Sequence, residues 1–326
     1  MKKTLLGLGL AITSLSVSAE TVTLAYQNGW AYTPLYIMQD QGLVEKHAKL
    51  AGVDLKAEFR NLGSPGVIRD ALIAGQVQFG AVGVPTLIQM HDKTAGDIKA
   101  VGNIVSLPMF LNTNDDKIKN VCDYKDSNGK IALPTVKSSV QAVTLQMASV
   151  KLCKLEPFAL DSKTVSMTHP DGMASLLSGN SEVTGHFTSP PFQHVELEEG
   201  KGKVRKLLSS YEVLGGKTSF ILLVGSEKWK TSHAKEYDVI VKAFEEAQSI
   251  ASNSKKVAAE TYVKIEKPKE SVADVLAQMN SDDVLFDVTP SYIATYADFM
   301  FNVKTVKNKA DWKALSFPNL HSKNGS

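Results

Sequence analysis

The feature that most constrains this chain is an alternation of short β-branched runs with longer runs of helical period, and it occurs twice. Residues 21–26 alternate as a strand, residues 34–46 carry apolar side chains at helical spacing, and residues 53–59 alternate again. A turn cluster at residues 61–66 then opens a short helix ending at Gly75, and residues 77–82 read as the next strand. The order recurs with a strand at 130–133, a helix at 138–153, a strand at 163–167, a helix at 171–178 and a strand at 182–187. Setting Leu72 to Gln89 over Leu176 to Gln193 needs no gap and matches Leu72 with Leu176, Gly75 with Gly179 and Gln89 with Gln193. Strand and helix alternating in this way imply α/β layers with mainly parallel sheets. The duplication implies two similar lobes.

From Thr218 onward the unit is not repeated. Residues 219–224 form a continuous apolar strand, followed by helical patterns at 234–252, 255–265, 271–279 and 290–301 and a polar tail at 319–326 that is expected to be mobile. If this third stretch returned to cover the first lobe, the chain would cross between lobes twice, near residues 102–106 and 214–217, making a hinge. The expected division is then residues 20–104 with 217–326 as lobe one and 105–216 as lobe two.

The first nineteen residues read as an export signal, with Lys2 and Lys3 ahead of an apolar stretch and a small-residue site at Val17-Ser18-Ala19. The apolar stretch is too short to span a bilayer, and no later segment is long enough. Lys+Arg number 36 and Asp+Glu 34, so cleavage after Ala19 would leave the two signs equal. A neutral chain lacks the basic surplus that phosphate neutralisation needs, which argues against a nucleic-acid partner. In an exported chain Cys122 and Cys153 could form a disulfide or remain as two buried thiols. Metal-ligand spacings such as C-x-x-C and H-E-x-x-H are absent, as are G-x-S-x-G and G-x-x-x-x-G-K-[ST], so neither a metal nor a cofactor nor a catalytic constellation is expected.

In open α/β sheets ligands gather outside the carboxyl ends of the strands. The loops there, at 27–33, 61–66, 83–86, 134–139, 168–171 and 188–191, are rich in Ser, Thr, Asn, Gly and Pro and nearly free of carboxylates. Hydroxyls and backbone N–H groups at helix starts suit a small anion or a polar neutral group, although the same residues serve as helix caps and turns. Trp30 and Tyr32 could floor a site or pack their loop on the core, and Lys137 could offer a counter-charge. His169 and His186 are expected at strand ends facing the same rim, as ligand donors or as structural residues. Glu196, Glu198 and Glu199 read as the solvated face of a helix.

The run from Pro34 through Gly42 to Glu45, the run Ala71 to Gly80, the stretch Ile131 to Ala142 and the segment Phe187 to Phe192 together resemble periplasmic substrate-binding proteins of ABC importers. The branch they resemble serves sulfonates, taurine, nitrate and the thiamine pyrimidine precursor, and the resemblance covers most of residues 21–300. It implies an α/β, two-lobed periplasmic-binding-protein-like fold (type II) with a ligand cleft and two hinge crossings. It also implies a monomeric periplasmic receptor that delivers its solute to an ABC permease and its ATPase. Carried over by position, the ligand loops give Asn28, Trp30, Tyr32, Ser64, Gly83 and Thr86 in lobe one, and Lys137, Ser138, Ser139, Thr188 and Ser189 in lobe two. The aromatic surface of Trp30 and Tyr32 exceeds what a bare inorganic anion needs. It points instead to an organic ligand with an apolar body, bearing a sulfonate or carboxylate. The alternatives are a pyrimidine-precursor-type enzyme on the same fold, or a receptor feeding a sensor kinase.

Overall fold

The computed structural model describes residues 20–326, so the export-signal reading lies outside the described residues. The strands in chain order are β1 (Glu20–Tyr26), β2 (Leu55–Asn61), β3 (Phe79–Gly83), β4 (Ile98–Ser106), β5 (Phe110–Thr113), β6 (Lys130–Leu133), β7 (Thr164–Ser166), β8 (Val183–Thr188), β9 (Arg205–Ser209) and β10 (Ser219–Ser226). They form two five-stranded sheets, ordered β2-β1-β3-β10-β4 and β7-β6-β8-β5-β9. In the first, β1 pairs in parallel with β2 and β3, while β10 runs antiparallel between β3 and β4. In the second, β6 pairs in parallel with β7 and β8, while β5 runs antiparallel between β8 and β9. The central strands are buried on both faces, antiparallel β10 among them, which is why β10 reads as an unbroken apolar run.

The helices are α1 (Thr33–Asp40), α2 (Leu43–Ala51), α3 (Pro65–Ile73), α4 (Val84–Lys93), α5 (Val140–Lys151), α6 (His169–Ser178), α7 (Phe192–Glu199), α8 (Ser210–Leu214), α9 (Glu227–Ser232), α10 (Ala234–Asn253), α11 (Lys255–Glu266), α12 (Val272–Met279) and α13 (Ile293–Asn302). The gapless match seen in the sequence is also structural. Helices α3 and α6 begin at Pro65 and His169, strands β3 and β8 at Phe79 and Val183, and each pair keeps the spacing of Leu72 and Leu176.

Three local expectations are corrected. The single helix expected over 34–46 is two helices, because Gly42 takes a left-handed conformation (φ 57°) that ends α1 and starts α2 on a new axis. The strand expected at 77–82 begins two residues later. The tail expected to be mobile is tied down: Phe317 N donates to Ala100 O, Asn319 Nδ2 to Val101 O, and Ser326 pairs with Pro290 and Ile293 through the backbone.

Among the described residues no helix is long and apolar enough to cross a membrane. Cys122 and Cys153 are disulfide-bonded, with Cα atoms 5.3 Å apart, joining the segment before β6 to the end of α5. Their sequence separation of 31 corresponds to about 3–4 kcal/mol by the loop-entropy relation. The Cys122→Ser, Cys153→Ser double variant is therefore expected to lose about that much unfolding free energy in urea titration; an unshifted midpoint would sink the assignment of a stabilising role.

Candidate functional site

The strand ends of the two sheets face each other, and their loops are in direct contact. Thr86 at the start of α4 donates to Ser138 O (3.2 Å), and Thr144 on α5 shares a hydrogen bond with Tyr296 on α13 (2.8 Å). Gly66 approaches Thr135, and Gly29 approaches Pro190 O. Gly83, whose φ of −72° any residue could adopt, lies so close to Val140 that an added Cβ would overlap its Cγ2. These are the contacts of a closed cleft.

Where the rim loops meet, they leave only about 10 Å³, roughly one water, between Gln27, Tyr32, Gly83, Gln141, His169 and Phe220. Tyr32 is buried there. His169 is buried too, at the start of α6, where Thr168 caps the helix. Its Nε2 lies 3.3 Å from Ser189 Oγ and its Nδ1 lies 2.9 Å from Thr188 Oγ1 and 3.3 Å from His186 Nε2. His186 in turn pairs with Glu196 on α7, whose other oxygen accepts from Asn112 Nδ2 at 2.9 Å. His186 and Glu196 are wholly buried, and the chain Ser189–His169–His186–Glu196 runs from the cleft into lobe two. Room for it comes from Gly172 in the middle of α6, where a Cβ would stand 2.6 Å from His186 Nε2. Burial, and then His186, hold His169 well below the usual imidazole value, so it is neutral, with one ring nitrogen donating and the other accepting.

A second, larger cavity of about 540 Å³ opens beside this point. Lobe one contributes Asn28, Gly29, Tyr262 and the 266–274 segment between α11 and α12; lobe two contributes Pro170, Met173 and the start and end of α7. Phe192 on its wall stacks on His169, with ring centroids 5.5 Å apart, so the two spaces are separated by one ring. At its lobe-one side Glu266 accepts from Tyr36 Oη (2.9 Å) and from Asn28 Nδ2 (3.2 Å). Tyr26, Tyr36 and Tyr262 cluster around it; burial first, and then the Glu266 charge, push the Tyr26 and Tyr36 phenols up.

Residues 17–265 match the NMT1-like family. The chain belongs to that family. Among curated proteins none matches. Solved structures share the fold: the alkanesulfonate-binding protein SsuA of Xanthomonas axonopodis pv. citri, bound to MOPS, aligns at 16% identity over 93% of this chain and 99% of its own, TM-score 0.70. The aliphatic sulphonate-binding SsuA of Escherichia coli aligns at 18% identity over 93% and 99%, TM-score 0.65. The nitrate-binding protein NrtA of Synechocystis PCC 6803 aligns at 14% identity over 91% and 85%, TM-score 0.69. This NMT1-like chain therefore has the two-lobed periplasmic-binding-protein fold that these sulfonate- and nitrate-binding proteins share.

Within that fold the sequence-derived site residues divide. Tyr32, Gly83 and His169 line the inner space and Asn28 the outer one. Thr86, Ser138, Thr188 and Ser189 stand at the lobe contact or on the histidine chain. Ser64 and Ser139 spend their hydroxyls as helix caps, accepting from Val67 N and Ala142 N. Trp30 does not floor either space; it is fully buried and its indole donates to Gln278 Oε1 at 2.8 Å, bolting the first loop to α12. Lys137 is exposed, lines neither cavity, and its charge acts on Asp161. The expected counter-charge for an anion is therefore not in the cleft. His186 is not at the rim, and Glu196 is not solvated, because each satisfies the other in the interior. Tyr262, Glu266 and Glu270 escaped the sequence reading; all three come from a segment more than two hundred positions beyond the loop they face.

A neutral buried His169 stabilises the fold fully above its unfolded value of about 6.5, and that contribution is lost as pH falls below it, because the unfolded chain then binds the extra proton. Unfolding free energy should fall less steeply between about pH 7.5 and about pH 5 in His169→Asn than in the parent protein; identical slopes would refute the neutral assignment.

Proposed function

We propose that this protein is a periplasmic solute receptor of the importer type, whose two lobes close over a small organic molecule and present the closed form to a membrane permease driven by an ATPase. The observation that carries this reading is the contact of the two lobes at Gly83 and Val140 beside a cavity lined by both. A ligand touching both walls makes contacts in the closed form that it cannot make in the open one, and that difference in affinity drives closure. The NMT1-like membership and the fold shared with sulfonate- and nitrate-binding proteins support the same reading. An enzymatic role gains no support from the buried Ser189–His169–His186–Glu196 chain, since Ser189 Oγ is itself buried and its histidine faces a space of about one water.

The test is closure. Solute screening by thermal shift should find a ligand that also lowers the radius of gyration in small-angle scattering. Gly83→Ala leaves the backbone unstrained but places a methyl on Val140, so it should still unfold cooperatively and lose the compaction. Full compaction in Gly83→Ala, or turnover of the solute, would overturn the proposal.

A further inference from the structure

The outer cavity has walls that specify more than its size. At about 540 Å³ it falls in the range of small-molecule sites, and its apolar surface comes from Phe192, Tyr262, Pro170, Met173 and Pro268. Five carboxylates line it, Glu198 and Glu199 from lobe two and Glu266, Glu270 and Asp274 from lobe one, against only Lys201 and Lys269. Glu270 Oε1 is buried without a hydrogen-bond partner among the described residues. A buried carboxylate oxygen without a partner is costly unless a donor or cation completes it. Burial first, and then Asp274, Glu198 and Glu199, push the Glu270 carboxyl up, so the two lobes repel each other here.

Resting on the receptor reading, we infer that the outer cavity takes an organic cation with a flat apolar body, its charged end set among Glu266, Glu270 and Glu198 and its body against Phe192 and Tyr262. Bringing carboxylates of both lobes together costs free energy, and a cation between them reverses the sign of that term, so ligand charge and lobe closure are coupled. The aromatic walls add the attraction of a ring face for an ammonium group. A sulfonate or carboxylate of the same shape meets like charge and lacks a buried cation to receive it.

Matched probes separate charge from shape: benzylamine and benzyltrimethylammonium against benzenesulfonate and phenylacetate, with calorimetric affinity and scattering as readouts. The expected result is binding and compaction with the ammonium pair alone, weakened by salt, and roughly tenfold weaker in Glu270→Gln and in Glu198→Gln. Glu198 is exposed, so its substitution leaves the fold intact and keeps the test informative. Binding and compaction with the anionic pair alone would overturn the cation inference and leave the receptor reading standing. Ammonium binding unchanged in both variants would overturn the placement. Compaction with neither pair would overturn the inference, while a solute from the wider screen that compacts the protein would still uphold the receptor.

Discussion

The antiparallel insertion of β10 between β3 and β4 is the constraint on which the rest of this molecule depends. The chain leaves the first sheet after β4, builds the whole second sheet, and returns by threading an almost wholly buried strand into the middle of the first. Its register sets Ile221 opposite Gly83, so the glycine that meets Val140 is held by ladder bonds from the returning strand. The helices that follow pack on α1 and α2, which brings Glu266 within hydrogen-bond reach of Asn28 and Tyr36. Every lobe-one carboxylate of the outer cavity is therefore placed by a strand that belongs to its sheet only through non-local pairing. The second sheet uses the same device, with β5 inserted antiparallel between β8 and β9.

Local periodicity made much of this legible. A strand written as alternation and a helix written as a 3.6-residue stripe survive translation into three dimensions because each depends on neighbours in sequence. The gapless match of the two halves extends from Pro65 and His169 through Phe79 and Val183, since equal spacing of caps and strand starts is itself a one-dimensional quantity. What was not legible depends on partners far along the chain. The Glu196 carboxylate looks solvated beside Glu198 and Glu199, and only β5 and β8, supplying Asn112 and His186, make its burial possible. The tail looks mobile because its polar residues offer no core, yet its anchors are backbone groups of β4 and of the segment before α13, which carry no side-chain signature.

The rim hydroxyls illustrate a different limit. Ser64, Ser139 and Thr168 stand where a ligand loop would place them, and each accepts from a backbone N–H at the start of its own helix. Such a hydroxyl already offsets an orphan donor, which limits its capacity to hold a solute. Removing them from the ligand-facing set leaves Gln27, Tyr32, Gln141 and His169 as the polar side chains of the inner space. None of the four carries a positive charge, His169 because burial keeps it neutral. The charge character of the cleft is then decided at the outer cavity, by residues on α7 and between α11 and α12.

That division of labour bears on how closure is balanced. The contacts Thr86–Ser138 and Thr144–Tyr296 are made by protein groups alone and favour the closed form whether or not a solute is present. A receptor biased too far in this way would close empty, because a ligand shifts the equilibrium only by its differential affinity for the two forms. Like charge across the outer cavity supplies an opposing term of comparable kind: Glu198 and Glu199 on one lobe face Glu270 and Asp274 on the other, in surroundings that half-bury Glu270 and so weaken solvent screening. In the receptor proposed above, contact favours closure and like charge opposes it, so a cation set among the carboxylates removes the opposing term.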